Sequence, residues 1–146
     1  MQKIWCGIFL VLFGFQSALA GEAIYSAGGV AVRGYDVVAY HIKSKAQKGK
    51  ADYSYHWKNT DWYFSSEENR NKFQTSPESY APQYGGFCAY AASKGSLAPT
   101  DPNAWTVYNG KLYLNYSQSV KATWLKNIEL NIARADKHWL RLKNTR

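Results

Sequence analysis

The chemistry open to this 146-residue chain centres on one motif, Tyr84-Gly85-Gly86-Phe87-Cys88-Ala89-Tyr90. A thiolate is a soft ligand suited to Cu(I) or Zn, and a nucleophile toward disulfides, peroxides and acyl groups. The other cysteine, Cys6, lies far upstream, and no Cys-x-x-Cys pair exists, so a self-resolving disulfide exchanger is not expected. The histidines are His41, His56 and His138, and their spacing makes no short metal motif. A zinc site wants three or four protein ligands. A two-ligand Cu(I) site needs little prescribed geometry, so the candidate metal ligands are Cys88, His56 and His41. The bland alternative is a packed thiol, because free cysteine is often a small buried apolar residue. Phe87, Ala89, Tyr90 and Ala91 supply an apolar setting of that kind. A thiol-redox or sensing role is the third reading of the same residue.

Cys6 belongs to a segment with the marks of an export signal. Lys3 gives a positive start, Ile4 to Phe15 an apolar run, and Ala18-Leu19-Ala20 a small-x-small cleavage site. The run is too short to span a bilayer, which takes roughly 20 helical residues. Residues 1–20 are therefore expected to be a cleavable signal peptide and 21–146 one exported domain, with a periplasmic address. In that compartment Cys88 has no internal disulfide partner.

The net charge of +8 is concentrated toward the C-terminus, at Lys121, Lys126, Arg134, Lys137, Arg141, Lys143 and Arg146. A basic chain can bind nucleic acid, but export and the lack of an RNA-binding signature argue against that. Solvation or attraction to anionic envelope surfaces suits the charge better. Twelve Tyr, six Trp and six Phe make the chain rich in large, stiff side chains, which fits an aromatic core. Paired catalytic carboxylates and a phosphate-binding glycine loop are not evident. Asp36 and Asp101 could serve as acid ligands, yet both adjoin turn residues.

Several elements must position the thiol. The 29–40 stretch alternates enough to suggest an extended segment turning at Gly34. Tyr53, Tyr55 and Trp57 alternate with Ser54 and His56 as in a strand. Lys58-Asn59-Thr60-Asp61 turns the chain, Trp62-Tyr63-Phe64 returns, and Ser65 or Ser66 caps a helix that places Phe73 in the core. Pro77 opens a second short turn. The pattern recurs at Trp105 to Tyr116, where Asn109-Gly110 is a strong hairpin signal. Ser117 or Ser119 then begins one long helix, with Val120, Trp124, Ile128, Ile132, Ala135 and Trp139 forming its apolar stripe. Between these two ββα units, Phe87 through Lys94 reads as about two helical turns with Gly95 as a left-handed cap. Cys88 then falls in the first turn. The fold class is α+β: two small antiparallel hairpins each followed by helix, an aromatic core and a long C-terminal helix.

The stretch from Tyr53 to Phe73, followed by Ser76-Pro77-Glu78-Ser79-Tyr80, resembles the YHS domain family. The Gly34-to-Tyr40 entry, the Tyr84-to-Ala91 segment and the Trp105-to-Tyr116 hairpin are similar to exported single-domain bacterial YHS proteins. The resemblance covers nearly all of 21–146. It implies a binding module, with metal binding in members that carry cysteines before the first hairpin and in a Phe-Cys-x-x-x-Cys step after it. Here that step reads Phe64-Ser65-Ser66-Glu67-Glu68-Asn69, so Ser65 and Asn69 stand where the cysteines would be. The expected function is an exported, non-enzymatic YHS-type module that binds a soft metal such as copper through Cys88. The alternatives are a single-cysteine redox or sensing protein, and an interaction module that holds another envelope protein with Cys88 inert.

Overall fold

The computed structural model describes residues 21–145, so the expected signal peptide and Cys6 lie outside the described residues. The elements run β1 (Ser26–Ala27), β2 (Val30–Ala31), α1 (Val37–Ile42), β3 (Lys50–Trp57), β4 (Thr60–Phe64), α2 (Glu67–Thr75), α3 (Pro77–Tyr80) and α4 (Ala89–Ser93). They continue with β5 (Asp101–Tyr108), β6 (Lys111–Asn115), α5 (Gln118–Leu125) and α6 (Ile128–Leu142). The fold is α+β, with aromatic clusters and a long C-terminal helix. Among the described residues no helix is long and apolar enough to cross a membrane.

Both expected hairpins are present. In β3–β4, Trp57 pairs with Thr60 around Lys58 and Asn59, whose φ angles of 50° and 58° close a tight turn. In β5–β6, Tyr108 pairs with Lys111 around Asn109 (φ 50°) and Gly110 (φ 74°), the conformation that favours Asn-Gly. Ser66 caps α2 by accepting the Asn69 amide, and Glu67 and Glu68 sit in its first turn. Ser117 caps α5 in the same way through Val120.

Two expectations are corrected. The 29–40 stretch is not extended: after β2 the chain passes through a left-handed turn and enters α1, because Asp36 Oδ1 accepts the amides of Val38 and Ala39 and caps a helix there. The short β1–β2 hairpin instead joins the first sheet, in the order β1-β2-β4-β3. The C-terminal helix is not continuous either. It breaks at Lys126–Asn127 into α5 and α6, with Asn127 at φ −140°. The buried Asn131 side chain donates to the Trp124 carbonyl at 2.9 Å, reinforcing an acceptor that otherwise holds the long 3.4 Å bond from the Asn127 amide. The apolar stripe survives the break: Trp124 and Ala135 are buried, and Ile128, Ile132 and Trp139 pack against them.

Strand β6 divides the interior. Side chains alternate across a strand, so Leu112 and Leu114 enter one cluster with Trp62, Phe64 and Phe73. Tyr113 enters the other, with Tyr84, Trp124 and Ala135. Both faces of β6 are covered. Asn115, on the Tyr113 face, is carried toward the start of α4, and that brings it to Cys88.

Candidate functional site

Gly85 and Gly86 turn the chain into the cysteine segment with φ of 61° and 84°. Cys88 follows as the N-cap of the five-residue helix α4, and Gly95 (φ 82°) ends that helix as expected, its amide bonded to the Ala92 carbonyl. Cys88 is 1% exposed. Its Sγ accepts the Ala91 amide at 3.5 Å and donates toward Asn115 Oδ1 at 3.5 Å. Asn115 Oδ1 also accepts the Tyr90 amide at 3.0 Å, so one side-chain amide ties the first turn of α4 to the end of β6. The backbone amide of Cys88 is engaged as well, by the Ala98 carbonyl at 3.0 Å. The other polar atom of Asn115, Nδ2, is a buried donor with no acceptor among the described residues. A cation is held by lone pairs, so this donor adds nothing to a ligand set around Cys88.

The two histidines proposed beside it have other partners. His41, in the last turn of α1, donates Nε2–H to the Tyr80 carbonyl at 3.2 Å, and its ring meets the Tyr80 ring edge-on at 5.5 Å. Burial pushes its pKa below the ordinary value, against an opposing pull from the Tyr80 carbonyl. His56 stands on the outer face of β3, directly across from Asp61 in the strand register, with Nδ1 2.6 Å from Asp61 Oδ1. That pair is well exposed. Among the described residues no group of three or more His, Cys, Asp or Glu is placed to hold a metal ion.

The densest polar constellation lies elsewhere, at Asp36. The carboxylate is fully buried and accepts five hydrogen bonds. Oδ1 takes the Val38 and Ala39 amides at 2.9 and 3.1 Å. Oδ2 takes the Ser65 amide at 2.8 Å, the Ser65 hydroxyl at 2.6 Å and Asn69 Nδ2 at 2.8 Å. Ser65 and Asn69 stand where the Phe-Cys-x-x-x-Cys step of the YHS domains that the sequence resembles has cysteines. Here both donate to a carboxylate, and every lone-pair direction of that carboxylate is used within the protein. The cluster binds α1, β4 and α2 together and has no open coordination position. Asp36 adjoins a turn in sequence, but nothing there points to partners 29 and 33 residues downstream.

A third grouping surrounds Tyr84, whose hydroxyl donates to Asp136 Oδ1 at 2.9 Å and whose ring meets Trp139 and Tyr113 at 6.0 Å each. Burial, with the nearby Asp136 charge, drives the Tyr84 pKa far above the usual phenol value, and burial pushes Tyr113 up to about 12. Both phenols therefore stay protonated across the physiological range, and Tyr84 serves as a fixed donor to Asp136.

Comparison with known proteins gives no assignment: no family model, curated protein or solved structure matches this chain.

Proposed function

We propose that the chain is a non-catalytic binding module of the YHS type, exported to the cell envelope, in which Cys88 is a packed thiol that seats α4 on β6. The supporting observation is the environment of Cys88. It is 1% exposed, and its sulfur is engaged by the Ala91 amide and Asn115. A metal-binding thiolate needs further lone pairs at coordination distance, and a redox thiol needs access to its oxidant. His41 and His56 are committed to Tyr80 and Asp61. The sequence resemblance to exported YHS proteins supplies the module type.

The test is alkylation of Cys88 against pH on reduced, metal-free protein, repeated with Cu(I) and with Zn. The expected result is no labelling until denaturant unfolds the chain, with neither metal changing the rate. Rapid labelling blocked by metal would restore the thiolate ligand. Rapid labelling that ignores metal would restore the redox reading.

A further inference from the structure

Among the described residues, the loop joining β2 to α1 holds a run of three left-handed residues that includes a β-branched one. Val32, Arg33 and Gly34 have consecutive φ angles of 44°, 58° and 76°. A left-handed conformation is costly for any side-chain-bearing residue and most of all for a β-branched one, so surrounding structure must hold it. Val32 is held by its own burial, by its amide on the Tyr25 carbonyl at 2.9 Å, and by its carbonyl accepting the Tyr35 amide. Backbone strain held in this way concentrates where a side chain must be aimed. The side chain aimed here is Arg33, exposed, with Nε donating to the Tyr25 hydroxyl at 3.3 Å.

A second loop is clipped against the first. The Asp36 amide bonds the Gln47 carbonyl, the Gly49 amide bonds the Gly34 carbonyl, each at 2.8 Å, and Tyr35 bridges Lys48. Between the two loops lies an open groove of about 410 Å³. Ala27, Val30 and Ala51 give it small apolar walls, Tyr63 contributes its ring, and Arg33 and Lys48 stand on it. Glycine keeps the loops close to the sheet. A Cβ at Gly34 would press within 3.3 Å of the Tyr63 ring, and one at Gly49 would meet the Tyr63 backbone. Among the described residues no acidic side chain lines the groove. Asp101 lies in a separate depression that Arg33 shares with Pro99 and Thr100.

An apolar concavity of this size with a few convergent polar groups suits a small molecule, for which pockets run roughly 300–1,000 Å³. Two cations and no carboxylate set the sign of the ligand. We propose that this groove binds a small amphiphilic carboxylate, its apolar tail against Tyr63, Val30 and Ala51 and its carboxylate between Arg33 and Lys48. The inference rests on the reading of the chain as a binding module and gives that module a ligand class. Neither the groove nor its ligand involves Cys88, so the alkylation experiment and the one below fail independently.

The experiment is an amide chemical-shift titration of the ¹⁵N-labelled protein with sodium octanoate, and separately with octylammonium chloride. The expected result is saturable shifts at Ala27, Val30, Gly34, Gly49 and Ala51 with octanoate, and binding weaker by about tenfold or more for octylammonium. Arg33→Gln with Lys48→Gln should weaken octanoate by about tenfold. Lys48→Gln alone, outside the left-handed run, should weaken it measurably and keeps the test valid if the double variant folds poorly. Ala51→Phe should fill the groove and abolish the shifts while preserving a cooperative thermal transition. The proposal is overturned by absence of saturable shifts, by shifts elsewhere, by equal binding of the two amphiphiles, or by an affinity that ignores Lys48.

Discussion

Asn69 donates its side-chain amide to Asp36 Oδ2 across 2.8 Å, and both side chains are buried. The contact joins the N-terminus of α1 to the first turn of α2, and Ser65 completes it from the end of β4. Ser65 and Asn69 thus act as donors around a buried acid. Burying a carboxylate is tolerable only when such donors replace its water.

Asp36→Asn should therefore be among the most damaging single changes. The new amide group must face either the Val38 and Ala39 amides or the Ser65 and Asn69 donors, setting donor against donor. A loss of about 3 kcal/mol or more is expected. Ser65→Ala removes one hydroxyl and leaves the other four bonds, so about 1–2 kcal/mol is expected. Urea denaturation of the three proteins checks the order. Equal stability of wild type and Asp36→Asn would mean the cluster is not holding the elements together.

The packed-thiol reading predicts that serine will substitute for Cys88 better than alanine. Position 88 is an N-cap, a place where serine is strongly favoured, and a hydroxyl can both accept the Ala91 amide and donate to Asn115 Oδ1. Alanine can do neither and leaves a small void, at a cost of about 1–2 kcal/mol. Thermal denaturation of Cys88→Ser and Cys88→Ala would measure the difference. Serine as damaging as alanine would show that sulfur has a role beyond capping and packing.

Burial lowers the pKa of His41, and this gives a pH dependence of known sign. Above the ordinary imidazole value of 6.5 both folded and unfolded chains carry neutral His41, and its contribution is complete. As pH falls below that value the unfolded chain takes up the proton first. Stability then declines until pH passes the lower folded value. His41→Gln keeps a donor for the Tyr80 carbonyl and removes the titration. Its melting temperature should fall less than that of wild type between pH 7.5 and pH 5, as scanned by circular dichroism. Parallel declines would assign the acid sensitivity to other groups.

Local signals in the sequence were faithful where the chemistry is local. Asn109-Gly110, Ser66 before two glutamates, and Gly95 after an apolar stretch each act within a few residues, and each appears in the structure as read. The helical stripe from Trp124 to Trp139 faces the core as its spacing predicts, but the spacing is silent about the break. The break is stabilised by one side-chain bond, Asn131 to Trp124, that a periodicity cannot reveal. The 29–40 stretch misled for a similar reason, since Asp36 as a helix cap looks like any turn aspartate until its partners at 65 and 69 are known. The candidate site was half legible. Cys88 stood out by type, but its burial depends on β6 having both faces covered. The groove at Arg33 and Lys48 is formed by two loops clipped through backbone bonds, which leave no trace in residue type.

Gly85 and Gly28 share a left-handed backbone, φ 61° and 59°, but their surroundings differ completely. A Cβ on Gly28 meets nothing among the described residues within 4 Å, so Gly28→Ala adds only the intrinsic strain of that conformation, about 1–2 kcal/mol. A Cβ on Gly85 would fall on the Ala23 carbonyl oxygen, and the neighbouring Gly85 carbonyl accepts the Tyr25 amide at 2.9 Å. No side-chain rotation can relieve a clash with backbone, so Gly85→Ala must push the 23–25 segment away or distort the entry to Cys88. Its loss should exceed that of Gly28→Ala by about 2 kcal/mol or more. It should also make Cys88 available to alkylation in the absence of denaturant, because the Gly85-Gly86 turn leads directly to the N-cap. Gly28→Ala should leave the thiol as protected as in wild type. Chemical denaturation and thiol labelling of the two variants read both consequences. Equal labelling would separate the glycine turn from the burial of Cys88.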